Sequence, residues 1–430
     1  MKVVALFLTI LLANRAVRAD DECHGTFNNL VPWSGDLVKV KEVANGSLYT
    51  AGDGDDQIFV LHVYGSPYDM GYAHGVLLKP QIQSLLPAFL KHVDEELEVY
   101  LKGLPQVVKD EVAKVGINEA LEGTYLLTKP YTAQYFYDEM KGLADGAEMD
   151  YNMVIRIHML PELVKAGCSM LGAWGDSLSS KSGLTQLRAL DWDVNGPLQD
   201  YPTVVIYHPD NGHAFANVGW SGWLTTISGM SSSGLGVSEK HSDVPLGQES
   251  RSGIPFNFLM RDVLQFDESL EQSIRRIQNA HRTCSIWLGV GDGQEERFRL
   301  FEYSYSTANV YDDSNVTKID PSRFMKEHCD QSCIDNYALK DIVYWGVHLG
   351  CWNSQLRNSH GNMSAETVIN LVGKVQTGDL QAVVYDFESS KMYVSNAKGS
   401  NESGPPNAYD RQFVTLDMKA LFNQTKPNIV

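Results

Sequence analysis

The spacing of apolar positions divides the chain near residue 168. Before it, Ser66-Pro67-Tyr68-Asp69 offers an N-cap, a proline in the first turn and an acid, and apolar residues follow at helical spacing through Leu77, Leu85, Leu86, Phe89 and Leu90. This predicts one long helix. Further amphipathic stretches around 105–115, 130–145 and 150–165 continue the helical texture, with Gly103, Gly116 and Gly142 as breaks, and 57–63 reads as a strand. After residue 168 the runs become short and are bounded by Gly, Asn and Asp: 184–191, 203–207, 214–218, 225–227, 236–238, 283–290 and 297–303 read as strands. Helical spacing returns at 255–265, at 267–281 with Asp267 as N-cap, and at 364–375. The chain closes with strands at 382–387, 391–395 and 412–416. No repeat of 20 to 50 residues occurs, and 400–407 is the only linker-like patch. The pattern predicts an α+β fold, strands in packed sheets with helices outside.

Composition narrows the function. The 430 residues are 43% hydrophobic and 20% charged, which fits a globular protein, and 35 basic against 53 acidic residues give a net charge of −18. That sign is wrong for a protein that neutralises phosphates, so no nucleic-acid partner is expected. Lys2, an apolar run over 3–12, and Val17-Arg18-Ala19 before Asp20 read as a secretory signal peptide of residues 1–19. No later stretch reaches the roughly 18 apolar residues of a membrane span, so a secreted or lysosomal protein is expected. Asn-x-Ser/Thr sequons at Asn45, Asn315, Asn362, Asn401 and Asn423 suit that route as glycosylation sites. Six cysteines, at 23, 168, 284, 329, 333 and 351, allow three disulfides, or two and a thiol if one cysteine is catalytic.

The stretch from Ala166 to Asp193 carries the chemistry. It reads as strand, turn and returning strand, with Cys168 at the start of the first and Arg188 and Asp191 near the end of the second, so an antiparallel hairpin returns both to Cys168. A thiol of pKa about 8.5 needs an adjacent cation or base to react, and Arg188 supplies a cation. Were the Gly167–Cys168 bond cut, the α-amine of Cys168, of pKa about 7.7 to 8, could act as base for its own thiol, held by Asp191. Gly167, lacking a Cβ, is suited to the strained geometry that attack on its carbonyl requires.

These residues resemble a known family. Gly167-Cys168-Ser169, the Gly-Ala-Trp-Gly that follows, and Arg188-x-x-Asp191-Trp192 are similar to the N-terminal-nucleophile cysteine amidases, in particular the penicillin acyltransferase-like group, with acid ceramidase and bile-salt hydrolase more distant. Gly71-x-x-His74-Gly75, the run Gly229 to Val237, and Gly378 to Asp386 with Tyr393-Val394-Ser395 extend the resemblance over about residues 58 to 416. It implies a four-layer α/β/β/α sandwich that cuts itself before Cys168, leaving a helical chain of residues 20–167 and a strand-rich chain of residues 168–430 that stay associated. It implies hydrolysis or acyl transfer at a non-peptide amide of a small-molecule, possibly lipid, substrate, without a cofactor or metal. Carried over by position, Cys168 is nucleophile and base, Asp191 orients the amine, Arg188 flanks the thiol, and Asn353 is the oxyanion donor. Ala189 and Ser231 stand where the family has Asn, and Asn353 lacks the family's Thr-Asn-His setting, which leaves fatty-acyl and aminoacyl amides both open as substrates.

Other readings are weaker. Cys329-x3-Cys333 with His348-x-x-Cys351 and His328 could be written as a zinc site, but sequons favour disulfides. Gly219-Trp220-Ser221-Gly222 lacks the second glycine of a serine elbow, and Gly289 to Gly293 reads as a turn. His74 and His241 read as core or surface histidines, and Trp174, Trp192, Trp220 and Trp223 as core packing that could also wall an acyl site. The alternative from another class is a non-catalytic secreted glycoprotein that keeps the scaffold.

Overall fold

The computed structural model describes residues 23–95, 116–164, 167–242, 244–320, 323 and 339–429. The signal peptide, the 105–115 stretch and His328, Cys329 and Cys333 lie outside the described residues.

A ten-stranded sheet has the order β1 (Val38–Val43), β2 (Gly46–Ala51), β3 (Ile58–Gly65), β6 (Pro202–Pro209), β7 (Phe215–Trp220), β8 (Ser228–Ser231), β9 (Leu235–His241), β10 (Ser285–Asp292), β11 (Arg297–Ser304), β12 (Ala308–Tyr311). A six-stranded sheet has the order β13 (Ile342–Trp345), β4 (Gly167–Trp174), β5 (Leu184–Asp191), β14 (Gln381–Asp386), β15 (Lys391–Asn396), β16 (Val414–Asp417). All neighbours are antiparallel except β3 and β6. Helices α1 (Pro67–Leu77), α2 (Lys79–Glu95), α3 (Ile117–Thr128), α4 (Gln134–Ala147), α5 (Tyr151–Met159), α6 (Phe256–Phe266) and α7 (Leu270–Asn279) form the layer on the larger sheet. Helices α8 (Leu349–Ser359) and α9 (Ala365–Val375) cover the smaller sheet, with a short α10 (Met418–Phe422) at the end. This is the α/β/β/α sandwich that the sequence predicts.

Strand alternation builds the layers. On β3, Leu61 and Val63 join the core under the helices, whereas Ile58 and Val60 join the core between the sheets. Buried on both faces, such strands read as apolar runs without a clean period of two, which is why their ends drift by a residue or two from prediction. Strands β1, β2, β12 and β13 are additional to those expected; β1 carries a short alternation, Val38-Lys39-Val40-Lys41, but lies at a sheet edge and is largely exposed. Residues 225–227 lead into β8 rather than forming a strand. The predicted long helix is two, parted at Leu78, with Pro80 in the first turn of α2. Ser269, not Asp267, caps α7 by accepting from the Gln272 N–H. Asp267 instead holds Arg276 through both carboxylate oxygens.

Gly142 is not a break. It sits inside α4 because α4 and α1 touch backbone to backbone. A Cβ at Gly142 would lie 2.2 Å from the Tyr68 carbonyl oxygen and one at Gly146 2.3 Å from that of Tyr72. In return, Gly71 and Gly75 of α1 leave room for the Glu139 and Leu143 carbonyls of α4. Two Gly-x-x-x-Gly faces therefore interlock at a separation no side chain allows.

A disulfide joins Cys23 to Cys351 on α8, while Cys168 and Cys284 carry thiols. Cys351 is thereby removed from any zinc site, and no cluster of three potential ligands occurs among the described residues. No described helix is long and apolar enough to cross a membrane. The sequon residues Asn362, Asn401 and Asn423 are exposed, while Asn45 and Asn315 are half-buried.

Gly142→Ala tests the interlock, because the usual helix preference for Ala, about 1 kcal/mol over Gly, acts in the opposite direction. We expect a net loss of about 1 to 3 kcal/mol in denaturant unfolding, since the methyl must push two backbones apart. Gly123→Ala in α3, where a Cβ meets nothing within 4 Å, should be neutral or stabilising.

Candidate active site

The hairpin β4–β5 sets the site. Its register pairs Gly167 with Asp191, Cys168 with Leu190 and Met170 with Arg188. Side chains alternate along each strand, so Cys168 and Arg188 share one face and meet, with Arg188 Nη2 3.5 Å from Cys168 Sγ. Ser169 and Asp191 share the other face.

Arg188 is 1% exposed and reaches across to β9 of the other sheet. There Nη2 donates to Glu239 Oε2 at 3.2 Å and Nε to the Glu239 carbonyl at 3.3 Å. Glu239 therefore neutralises the guanidinium beside the thiol. The Nη1 group of Arg188 has no hydrogen-bond partner. Burial pushes the Cys168 thiol up to about 12. Arg188 opposes that shift, and the carboxylates of Glu239 and Asp191 add to it. Arg188 supplies the expected cation and lowers the thiol, but in the intact chain desolvation outweighs it.

Asp191 is held by donors. Its Oδ1 accepts from the Gly378 N–H at 2.5 Å and the Asp379 N–H at 3.3 Å, and Oδ2 accepts from the Thr377 hydroxyl at 2.9 Å. Gly378 has φ +89°, which turns two successive N–H groups toward one oxygen. Behind them, Thr377 Oγ1 lies 2.8 Å from Ser169 Oγ, which accepts from the Val347 N–H. Burial raises the Asp191 carboxyl above the usual range, and the Gly378, Thr377 and Asp379 donors oppose this. Asp379 is lifted to about 6 by burial and by the charge of Asp191. Gly167 is the first residue of a regular strand and is not in the positive-φ region. Its missing Cβ leaves room for Asp191: a Cβ there would lie 3.2 Å from Asp191 Cβ.

Beside Arg188 opens a narrow cleft of about 60 Å³, lined by Phe89, Leu190, Trp192, Trp220, Trp223 and Ile227, with Glu239 and His241 at the polar end. The segment just before the Gly167–Cys168 bond closes it through Leu160, Pro161 and Val164. Three of the four expected tryptophans are here. Trp174 is not, because six strand residues, about 20 Å, separate it from Cys168, and it packs in the core between the sheets. Asn353 stands on α8, where its Oδ1 accepts from Arg357 Nε at 3.2 Å. None of its recorded hydrogen bonds reaches the groups around Cys168. His74 is a structural histidine: its Nε2 accepts from the Gly222 N–H at 2.9 Å. His158 does the same for the Leu224 N–H. Together they fix the loop that carries Trp223.

Sequence reasoning did not reach Glu239, Thr377 or the backbone of residues 378 and 379 as site groups. Glu239 left no distinctive trace, since it lies in the polar half, Ser238 to His241, of its strand.

No protein-family model matches the chain. Protein dcd1A of Dictyostelium discoideum is 37% identical over 442 aligned residues, covering 98% of this chain and 99% of that one. The chain belongs to the dcd1 family. Protein dcd1B of the same organism is 36% identical, covering 91% of this chain and 80% of that one. Among solved structures, the dcd1 chain resembles a Caenorhabditis elegans ortholog of N-acylethanolamine-hydrolyzing acid amidase, at 14% identity and TM-score 0.38 over 51% of this chain and 93% of that one. It also resembles a variant of conjugated bile acid hydrolase from Clostridium perfringens, at 12% identity and TM-score 0.37 over 60% of this chain and 95% of that one. Penicillin V acylase from Agrobacterium tumefaciens gives 11% identity and TM-score 0.33 over 54% of this chain and 83% of that one. All three alignments are partial on the dcd1 chain.

Removing one member of the buried ion pair should cost more than removing both. Glu239→Leu leaves a guanidinium uncompensated, and we expect a loss of about 3 to 5 kcal/mol in unfolding free energy. Arg188→Met with Glu239→Leu should recover most of it, a non-additivity that a double-mutant cycle reads directly.

Proposed function

We propose that this dcd1-family protein is a self-processing cysteine amidohydrolase or acyltransferase, acting on a non-peptide amide such as an N-acyl amine in a secretory or lysosomal compartment. One observation carries the reading. Cys168 Sγ meets Arg188, which lines an apolar cleft, while the carbonyl-bearing Gly167 lies opposite Asp191.

In this reading the first reaction is on the chain itself. Sγ attacks the Gly167 carbonyl carbon, the C–N bond breaks, and the thiol proton ends on the nitrogen, which becomes the α-amine of Cys168. Water then hydrolyses the thioester and leaves Gly167 with a carboxylate. Before the cut, the buried thiol is protonated and poorly reactive toward external amides. After it, the amine and sulfur share one residue. The amine takes the thiol proton, and the thiolate attacks the substrate carbonyl. The amine then returns the proton to the leaving nitrogen, and water releases the acyl group. Asp191, with its three donors, anchors the amine as a fixed acceptor. Arg188 stabilises the thiolate and, through its unpartnered Nη1, offers a donor to the substrate. The resemblance gives the oxyanion role to Asn353, whose Nδ2 would be the donor while Oδ1 accepts from Arg357 Nε.

The two chains would remain joined. Cys23 falls in the first and Cys351 in the second, so their disulfide spans the cut. We expect purified wild type to run as two fragments on a reducing denaturing gel, residues 20–167 and 168–430, and as one species without reductant. Cys168→Ala should give a single band under both conditions, and Cys23→Ser with Cys351→Ser should give two fragments even without reductant. Wild type that stays whole after incubation at mildly acidic pH would support the non-catalytic glycoprotein instead.

A further inference from the structure

Within the cleft, two wall residues do more than exclude water. Trp220 and Trp223 are 3% and 5% exposed, and both indole N–H groups lack a hydrogen-bond partner. A buried indole N–H ordinarily has one, and leaving such a donor unpaired costs about 1 to 3 kcal/mol. The two rings pack edge to face, centroids 5.6 Å apart at 83°. That arrangement can aim one N–H at the face of the other ring but cannot satisfy both. Arg188 Nη1, unpartnered and 1% exposed, lines the same cleft. The unpaired groups of these three side chains are thus all donors, set among Phe89, Leu190, Ile227 and Phe256.

Building on the amidase reading, we propose that Trp220 and Trp223 form a specificity subsite for an acyl group that is apolar but carries an uncharged oxygen acceptor, such as an ether, keto or hydroxyl oxygen. An anionic group fits less well, because Glu239 already balances Arg188, the arginine that lines the cleft. A plain hydrocarbon chain fits less well too, since it covers the indole donors without pairing them. Sites that present a buried polar group discriminate against ligands unable to meet it far more than apolar sites discriminate by size.

The test uses the full-length, self-cleaved protein and amides of a common amine with seven-atom acyl chains: heptanoyl, and the same chain with an ether oxygen at position 3, 4 or 5. An ether oxygen is normally a disadvantage in an apolar site, because it must be stripped of water. We expect at least one ether chain to exceed heptanoyl in kcat/KM by about tenfold, the scale of one hydrogen bond well made. Trp220→Phe or Trp223→Phe, which keeps the ring and deletes the N–H, should bring that ratio to about one. The corresponding free acids, titrated by quenching of tryptophan fluorescence, should show the same order of binding, a readout independent of turnover. Self-cleaved protein that prefers heptanoyl, or whose ratio survives both substitutions, overturns the subsite alone. Protein that neither cleaves itself nor turns over any amide overturns the amidase reading and the subsite with it.

Discussion

The register of one hairpin governs the rest of the site. Because side chains alternate along a strand, a shift of β5 by one residue against β4 would turn Arg188 away from Cys168 and Asp191 away from the Thr377–Gly378 donors. The register is pinned from both sides. Met170 and Arg188 project toward the larger sheet, where Gly289 and Glu239 receive them, while Ser169 projects outward, against Gly346. A Cβ on Gly346 would come within 2.6 Å of Ser169, so β4 cannot slide without meeting backbone.

That pinning lets the fold hold a difficult set of groups out of water. A guanidinium, two carboxylates and a thiol occupy a few ångströms, and each alone would be costly to bury. They are tolerated because each charge has a named partner: Arg188 with Glu239, and Asp191 with two N–H groups and a hydroxyl. The thiol has the weakest support, and its neutrality in the intact chain follows. On the proposed reading, reactivity is withheld until a new amine appears beside Asp191.

Much of this was legible in the chain. The helical texture before residue 168 and the strands after it follow from period alone, and β5 falls at residues 184–191 as predicted because Gly183 and Asp191-Trp192-Asp193 bound it clearly. That the hairpin brings Arg188 to Cys168 and Asp191 opposite Gly167 could be read from its geometry. What could not be read were the contacts between sheets. Glu239 and Thr377 come from strands and turns far along the sequence, and no local rule says which strand lies over which. Gly142 misled for a related reason: a glycine that weakens a lone helix strengthens a helix whose neighbour needs the space. Trp174 packs in the core as read, and its distance along the strand keeps it from the acyl wall that the other three tryptophans form.

The glycine seam between α1 and α4 also determines what can move. With no side-chain atoms in the seam to repack, the two helices have no alternative register to slide into, and they behave as a stiff mount. Helix α5 follows directly, and just beyond it Leu160, Pro161 and Val164 line the cleft. These three residues are thus held at their start by the helical layer. Any opening of the cleft would therefore be a bend of those few residues rather than a rearrangement of the helical layer.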